Sequence, residues 1–124
     1  MQLRKRTMGG FPVLCVTGRM AGDSEQEALH QAVRELVARG EKRIVIDLGQ
    51  VEWMNSLGLG VLLACFITIN NFGGQMAVAR VRHRVRALFK VLRVCKIFSC
   101  HETIKGALTS FDTLGDQRAS ATAC

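Results

Sequence analysis

The most constraining feature of the chain is a buried strand followed closely by a helix that starts at a serine. Residues 44–48 read Ile-Val-Ile-Asp-Leu. This run is apolar enough for a central strand covered on both faces. Residues 49–55 predict a short connector, and a helix follows from Ser56 to about Asn70. We expect Ser56 to be the N-cap, with its side-chain oxygen accepting a hydrogen bond from an otherwise unpaired helix amide.

The helix after Ser56 is apolar around nearly its whole circumference. Gly58 and Gly60 are poor helix formers, and they leave the first turn bare enough for another protein to approach the serine. One set of side chains is expected to face a sheet: Leu59, Leu62, Leu63, Phe66 and Ile69. A second set lies elsewhere on the helix: Leu57, Val61, Ala64 and Cys65. So apolar a helix predicts that something covers its outer side.

Apolar periodicity along the rest of the chain alternates between strand and helix patterns. Strands are predicted over 2–7, 12–17, 44–48, 75–81 and 96–99, and helices over 56–70, 83–94 and 102–111. A further helix follows the capping box at Ser24 to Glu27 and stops at Gly40. This alternation predicts an α/β domain with a mixed sheet covered by helices. The domain is expected to span 1–111, and the small, polar tail 112–124 is expected to be disordered.

Length and composition describe a single domain with an ordinary core. The chain has 124 residues, of which 48% are hydrophobic. Its longest apolar run, around residues 57–69, is too short to span a bilayer. The basic start resembles a signal peptide, but the six apolar residues that follow include Pro12, so we predict a cytoplasmic protein. The five cysteines show no CxxC spacing and are expected to be reduced thiols.

The net charge of +7 is unevenly distributed. Seven basic residues fall between Arg80 and Lys96, a stretch that contains no acidic residue. The cluster is either a patch that attracts an anionic partner or a solvated helix face, and the sequence leaves both open. Nucleic-acid binding is not expected, because the chain has no tyrosine, one tryptophan and no helix-turn-helix or RNA-binding motif.

Catalytic motifs are missing from the sequence. It contains neither a phosphate-binding Gly-x-x-x-x-Gly-Lys-Ser/Thr loop nor a Gly-x-Ser-x-Gly elbow. His30, His83 and His101 have no acid or nucleophile at an informative spacing. Cys95 and Cys100-His101 match no familiar metal-site pattern. We therefore expect a protein that is not an enzyme and that needs no cofactor or metal.

The strand and helix around Ser56 resemble the signature of the STAS domain, the fold of the bacterial anti-sigma factor antagonists. That signature has Asp-Leu-Ser near the end of a strand and Asp-Ser-Ser-Gly-Leu-Gly at the next helix start. The corresponding residues here are 47–49 and 55–60, Asp-Leu-Gly and Asn-Ser-Leu-Gly-Leu-Gly. Similarity extends to Gly18-Arg19-Met20, to residues 73–76 and to the helix over 85–92, covering roughly residues 2–111.

The resemblance implies a fold of roughly five strands and four helices and a mode of regulation. The serine that a partner kinase phosphorylates in the family falls on Ser56. An anti-sigma factor serine kinase of the GHKL type, using ATP and Mg²⁺, would bind the unphosphorylated protein, and a phosphatase would reset it. The resemblance and the exposed positions together suggest a partner-binding set: Asn55, Ser56, Leu57, Gly58 and Leu59, with Trp53, Arg84 and Arg86 beside them.

The chain departs from the family signature at two positions. Asn55 replaces the acid before the phosphorylated serine, and Leu57 replaces the second serine. Taken alone, the pattern also fits a Ser56 that only caps the helix. The departures keep an alternative open, a STAS adaptor that is not switched and sits in a stressosome-like scaffold or a lipid-transport ABC system. Asp47 is expected either to hold the Ser56 loop through backbone amides or to end its strand. A weak homodimer is also left open.

Overall fold

The computed structural model describes residues 2–22 and 27–111, so the predicted capping box at Ser24 and the tail 112–124 lie outside the described residues. The first half contains β1 (Gln2–Met8), β2 (Phe11–Met20), α1 (Glu27–Ala38), β3 (Arg43–Met54) and α2 (Ser56–Asn71). The second half contains β4 (Gln75–Ala79), α3 (His83–Leu92), β5 (Ser99–His101) and α4 (Ile104–Ser110), with a 3₁₀ turn at Val94–Lys96.

The five strands form one mixed sheet in the order β1-β2-β3-β4-β5. β1 runs antiparallel to β2, and each later neighbour pair is parallel. The hairpin between β1 and β2 turns at Gly9 and Gly10, whose φ angles of 58° and 85° favour glycine. The prediction of a mixed five-stranded sheet with four helices is confirmed.

The two faces of the sheet carry two separate apolar cores. On one face, strand residues such as Leu14, Ile46 and Val78 pack with buried side chains of α1, α2 and α3. On the other face, Val13, Val45 and Ala77 pack with α4 and Phe111. Of the four helices in the described residues, three therefore pack on one face of the sheet and α4 packs on the other.

The predicted connector before α2 is wrong, because β3 continues through Met54. Its second half pairs with the end of β2, from Thr17 opposite Gln50 to Met20 opposite Met54. A register shift near Gly49 allows the longer strand to stay paired. The additional pairing brings the end of β2 beside the start of α2.

Other boundaries differ from the prediction where the backbone changes conformation. β4 ends at Ala79 rather than at residue 81, since Arg80 is left-handed with φ 57°. α3 ends at Leu92, where Arg93 adopts a left-handed C-cap with φ 54°. The last strand lies at Ser99–His101, not at 96–99. α4 starts after Thr103, whose side chain accepts a hydrogen bond from the Gly106 amide at 2.9 Å.

Candidate functional site

The start of α2 is capped by Asn55, so the prediction that Ser56 is the N-cap is wrong. Asn55 has an extended backbone, and its Oδ1 accepts a hydrogen bond from the Gly58 amide at 2.9 Å. Asparagine is among the strongest N-cap residues. The backbone N–H of Asn55 donates to the Met20 carbonyl at 3.2 Å. Asn55 therefore fixes both the direction of the helix and its position against β2.

Gly58 is a packing residue and not a bare surface position. It is buried, and a Cβ added there would overlap the carbonyl oxygen of Met20. Gly60 is exposed and has open space around it. Leu59 lies in the core, where only 2% of its surface is exposed. Neither Gly58 nor Leu59 therefore offers an exposed side chain, and their place in the partner-binding set stays a prediction.

Ser56 and Leu57 form the exposed part of this helix start. Ser56 occupies the first helical position, and none of the described residues hydrogen-bonds its hydroxyl. Leu57 exposes 65% of its surface. One side of Leu57 lies against Gly22, where a Cβ would overlap the leucine Cβ. A partner approaching Ser56 therefore meets an accessible hydroxyl beside an apolar side chain.

Trp53 lies near the end of β3, two residues before the cap. It is half-buried, and the Arg19 guanidinium stacks over its ring at 4.7 Å from the centroid. Arg19 and Trp53 are also register partners across β2 and β3. The cation–π contact therefore joins the ends of β2 and β3. Arg19 is not among the predicted site residues, although its register with Trp53 would follow from a strand that continues through Met54.

Asp47 does not hold the Ser56 loop. Its side chain is buried, with 2% of the residue exposed, and it forms a bidentate pair with Arg80. The Arg80 Nε donates to Oδ1 at 2.9 Å, and Nη2 donates to Oδ2 at 3.0 Å. Oδ1 also accepts the Gly49 amide at 2.9 Å. The hydrogen bond with Asp47 raises the pKa of Arg80. Asp47 thus ties β3 to the residue after β4, and one cation of the predicted basic cluster is neutralised.

The start of α3 lies at the same edge of the sheet as the start of α2, because β3 and β4 are parallel. Its N-cap, Arg82, makes no side-chain capping bond, and the first turn contains no acid. Arg82, His83 and Arg84 line an open cavity of about 470 Å³ together with Glu52 of β3. Arg86 is half-buried and Arg84 exposed. Of the two predicted arginines, the structure brings Arg84 to the cavity.

The outer side of α2 is partly apolar and partly covered. Ile67 is exposed, as is Phe72 directly after the helix. Leu63 and Phe66 are half-buried rather than part of the core, whereas Cys65, predicted to lie elsewhere, is fully buried. Burial raises the pKa of Cys65 to about 12, which keeps its thiol protonated.

The cysteines are not all reduced. Cys15 and Cys65 are free thiols, but Cys100 is disulfide-bonded, so the prediction of reduced thiols is wrong at Cys100. Within 2–22 and 27–111, no group of three or more potential metal ligands comes together. None of the helices in those same ranges is long and apolar enough to cross a membrane.

Comparison with known proteins identifies similar chains. The family model described as "Mlab, STAS domain" matches residues 4–99. The anti-sigma F factor antagonist of Paenibacillus polymyxa is 26% identical over 114 residues, covering 92% of this chain and 97% of the relative. The crystal structure of an anti-sigma factor antagonist from Mycobacterium paratuberculosis has 28% identity and a TM-score of 0.75, covering 88% and 92%. Bacillus SpoIIAA in its phosphorylated form shares the fold, with 13% identity, a TM-score of 0.68 and coverage of 89% and 99%.

Proposed function

The chain belongs to the STAS domain family, and from that premise we propose that it is an anti-sigma factor antagonist regulated at Ser56. In the unphosphorylated state it binds an anti-sigma factor that is also a serine kinase, of the GHKL type. The kinase transfers the γ-phosphoryl group of ATP to Ser56 Oγ, the serine proton passes to the kinase, and ADP leaves. The phosphorylated protein dissociates, and a phosphatase restores it. The relatives from Paenibacillus and Mycobacterium carry the name of anti-sigma factor antagonists.

The observation that carries the proposal is the position of Ser56. Its hydroxyl is exposed on the first turn of α2, and Asn55 satisfies the capping requirement in its place. A serine that is not needed as a cap is free to be modified without loss of the helix. This is the arrangement that a reversible phosphosite requires.

The fold itself should tolerate the phosphate. A phosphoserine carries nearly two negative charges at neutral pH. At the start of a 16-residue helix, these charges interact favourably with the helix dipole and with backbone amides. We therefore expect phosphorylation to act on the intermolecular contact rather than on folding.

The binding surface that we propose is centred on Asn55, Ser56 and Leu57. Trp53 with its stacked Arg19 lies on one side, and Arg84 at the start of α3 extends the same edge of the sheet. A partner that buries Leu57 must also bury the adjacent hydroxyl. A dianion there would be poorly compensated, and a loss of about 3 kcal/mol weakens binding more than a hundredfold.

Asn55 is compatible with this function. An aspartate would cap the helix equally well, but it would place a negative charge beside the phosphorylated serine. The neutral amide removes this repulsion, so the phosphorylated form of this chain should be less strained than that of a relative with an acid. We propose that Asn55 shifts the balance between kinase and phosphatase toward the phosphorylated state.

The test is a quantitative pull-down from native lysate with wild type, Ser56→Ala and Ser56→Asp as baits. Asn71→Asp, a change at the exposed far end of the same helix, controls for charge alone. We expect wild type, Ser56→Ala and Asn71→Asp to capture a GHKL-type kinase, and Ser56→Asp to retain less than a hundredth of it. The captured kinase with ATP and Mg²⁺ should phosphorylate wild type but not Ser56→Ala.

A second function is favoured by the exposed apolar side chains of α2. Leu57, Ile67 and Phe72 are all more than half exposed, which suits a surface that stays covered in a larger complex. In that case the protein is an adaptor and Ser56 is not a switch. The pull-down then returns the same partners from wild type and Ser56→Asp, and size-exclusion chromatography shows a constitutive assembly.

A further inference from the structure

Among the described residues, α4 covers only part of its face of the sheet. Under α4 the strands present apolar side chains, among them Val45, Ala77 and Ala79. Beyond α4 the same face turns polar and forms an open trough of about 620 Å³ across β1, β2 and β3. The trough lies on the opposite face of the sheet from α2.

An uncovered segment of this kind is unusual for parallel strands. β2 and β3 are parallel neighbours through the trough, with Cys15 opposite Asp47 and Thr17 opposite Gln50. Parallel pairs are almost always covered on both faces. Here Thr17 and Gln50 are exposed, and they present polar groups where an apolar layer would otherwise be expected. The composition of the trough therefore suits a polar ligand.

Two of the arginines that line the trough carry positive charge that no acidic side chain within 2–22 and 27–111 neutralises. Arg4 and Arg6 of the edge strand line it, and neither forms an ion pair with any of the described residues. Lys5, between them, points to the other face and pairs with Glu35 at 3.5 Å. The one carboxylate in the trough, Asp47, is already engaged in its bidentate pair with Arg80.

The remaining groups add hydrogen-bonding capacity without negative charge. Burial, together with the nearby Asp47 carboxylate, raises the pKa of the Cys15 thiol, so it stays neutral. Thr17 and Gln50 supply a hydroxyl and an amide that can donate. The Nη1 of Arg80 is not used in the pair with Asp47. Donors thus extend from the edge strand to the end of β4.

We propose that this trough binds a small ligand with two linked oxyanion groups, of the diphosphate class. Arg4 and Arg6 are two residues apart on one strand, so their Cα atoms are about 7 Å apart on the same face. Two linked oxyanions can bridge this span and accept charge-assisted hydrogen bonds from both guanidinium groups. No aromatic ring is among the described residues that line the trough, so the ligand is recognised by its anionic groups rather than by stacking.

The experiment is a titration of the full chain with inorganic pyrophosphate, followed by ¹⁵N–¹H NMR at low ionic strength. The test variant is the double substitution Arg4→Gln with Arg6→Gln. The control is Lys5→Gln, which removes a charge from the same strand but on the opposite face of the sheet. Thermal unfolding of each variant checks the fold. We expect saturable shifts at Cys15, Thr17 and Gln50, binding at least tenfold weaker in the double variant, and binding within twofold of wild type in Lys5→Gln.

Three outcomes would overturn the proposal. In the first, pyrophosphate causes no saturable shifts; in the second, its shifts map to the basic residues 82–96; in the third, Lys5→Gln weakens binding as much as the double variant. A further arm compares pyrophosphate with an acidic peptide of equal charge, and preferential binding of the peptide would also contradict a small-ligand site. None of these results bears on the pull-down with Ser56 variants, so the two proposals fail independently.

Discussion

Two helices start at the same edge of the sheet and are built in opposite ways. The start of α2 is fitted to its surroundings: Asn55 caps it, and Gly58 packs on the Met20 carbonyl. The start of α3 has no side-chain cap, and its first residues are basic and exposed. The first is held by close packing, whereas the second depends on its buried residues further along, Val85 and Phe89.

The difference indicates how the two starts can take part in function. A rigidly positioned helix start presents Ser56 in one geometry, which suits recognition by an enzyme. A basic helix start with no acid in its first turn attracts negative charge over a longer range without fixed geometry. We infer that a partner is oriented at α2 and attracted at α3.

The largest expected effect comes from a pair of glycines in α2. Gly58→Ala should destabilise the protein by about 2–3 kcal/mol, because the added methyl overlaps a backbone carbonyl that cannot rotate away. Gly60→Ala meets open space on the same helix and should stabilise it by about 1 kcal/mol. Urea unfolding of both variants measures the difference. Equal effects would show that α2 is not fitted to β2.

The next largest change in stability is expected from substitutions at the N-caps of α2 and α3. Asn55→Ala should cost about 1 kcal/mol, since the Gly58 amide loses its acceptor. Arg82→Asn supplies the side-chain cap that α3 lacks and should stabilise by about 0.5–1 kcal/mol. Urea unfolding of the two variants and wild type checks both signs. If Asn55→Ala has no effect, the helix start is fixed by packing alone and the cap is incidental.

The fold could be predicted from the sequence because it rests on long apolar patterns. The run at 44–48 and the periodicity of α1 and α3 were sufficient to predict a mixed sheet with helices. The strand and helix ends depend on single residues that periodicity does not report. Arg80 and Arg93 end their elements in left-handed conformations, which are uncommon for any residue other than glycine. Nothing in the sequence marks them.

The candidate site was predicted in part, for a related reason. Ser56 is the first residue of α2, and the cap was assigned to the wrong one of two adjacent capping residues, Asn55 and Ser56. Choosing between them requires that the first residue of the helix be known to within one position, and sequence patterns do not define helix ends that closely. The contact of Gly58 with Met20 joins distant parts of the chain and needs the β2–β3 register, which the predicted connector had cut short.

The smallest expected change in stability comes from an aspartate placed at the first helical position, tested in both α2 and α3. Ser56→Asp and His83→Asp should each stabilise through the helix dipole, by about 0.3–1 kcal/mol at low ionic strength. The gain at α3 should be larger, because the aspartate shares its cavity with two arginines, Arg82 and Arg84, against one carboxylate, Glu52. Urea unfolding in 20 mM and 1 M NaCl provides the measurement. At 1 M NaCl the Debye length is about 3 Å. The additional stabilisation at α3 relative to α2 should therefore be mostly lost. An equal response to salt at both positions would mean that the basic residues at the start of α3 create no distinct field, and the inference that α3 attracts the partner would have to be abandoned.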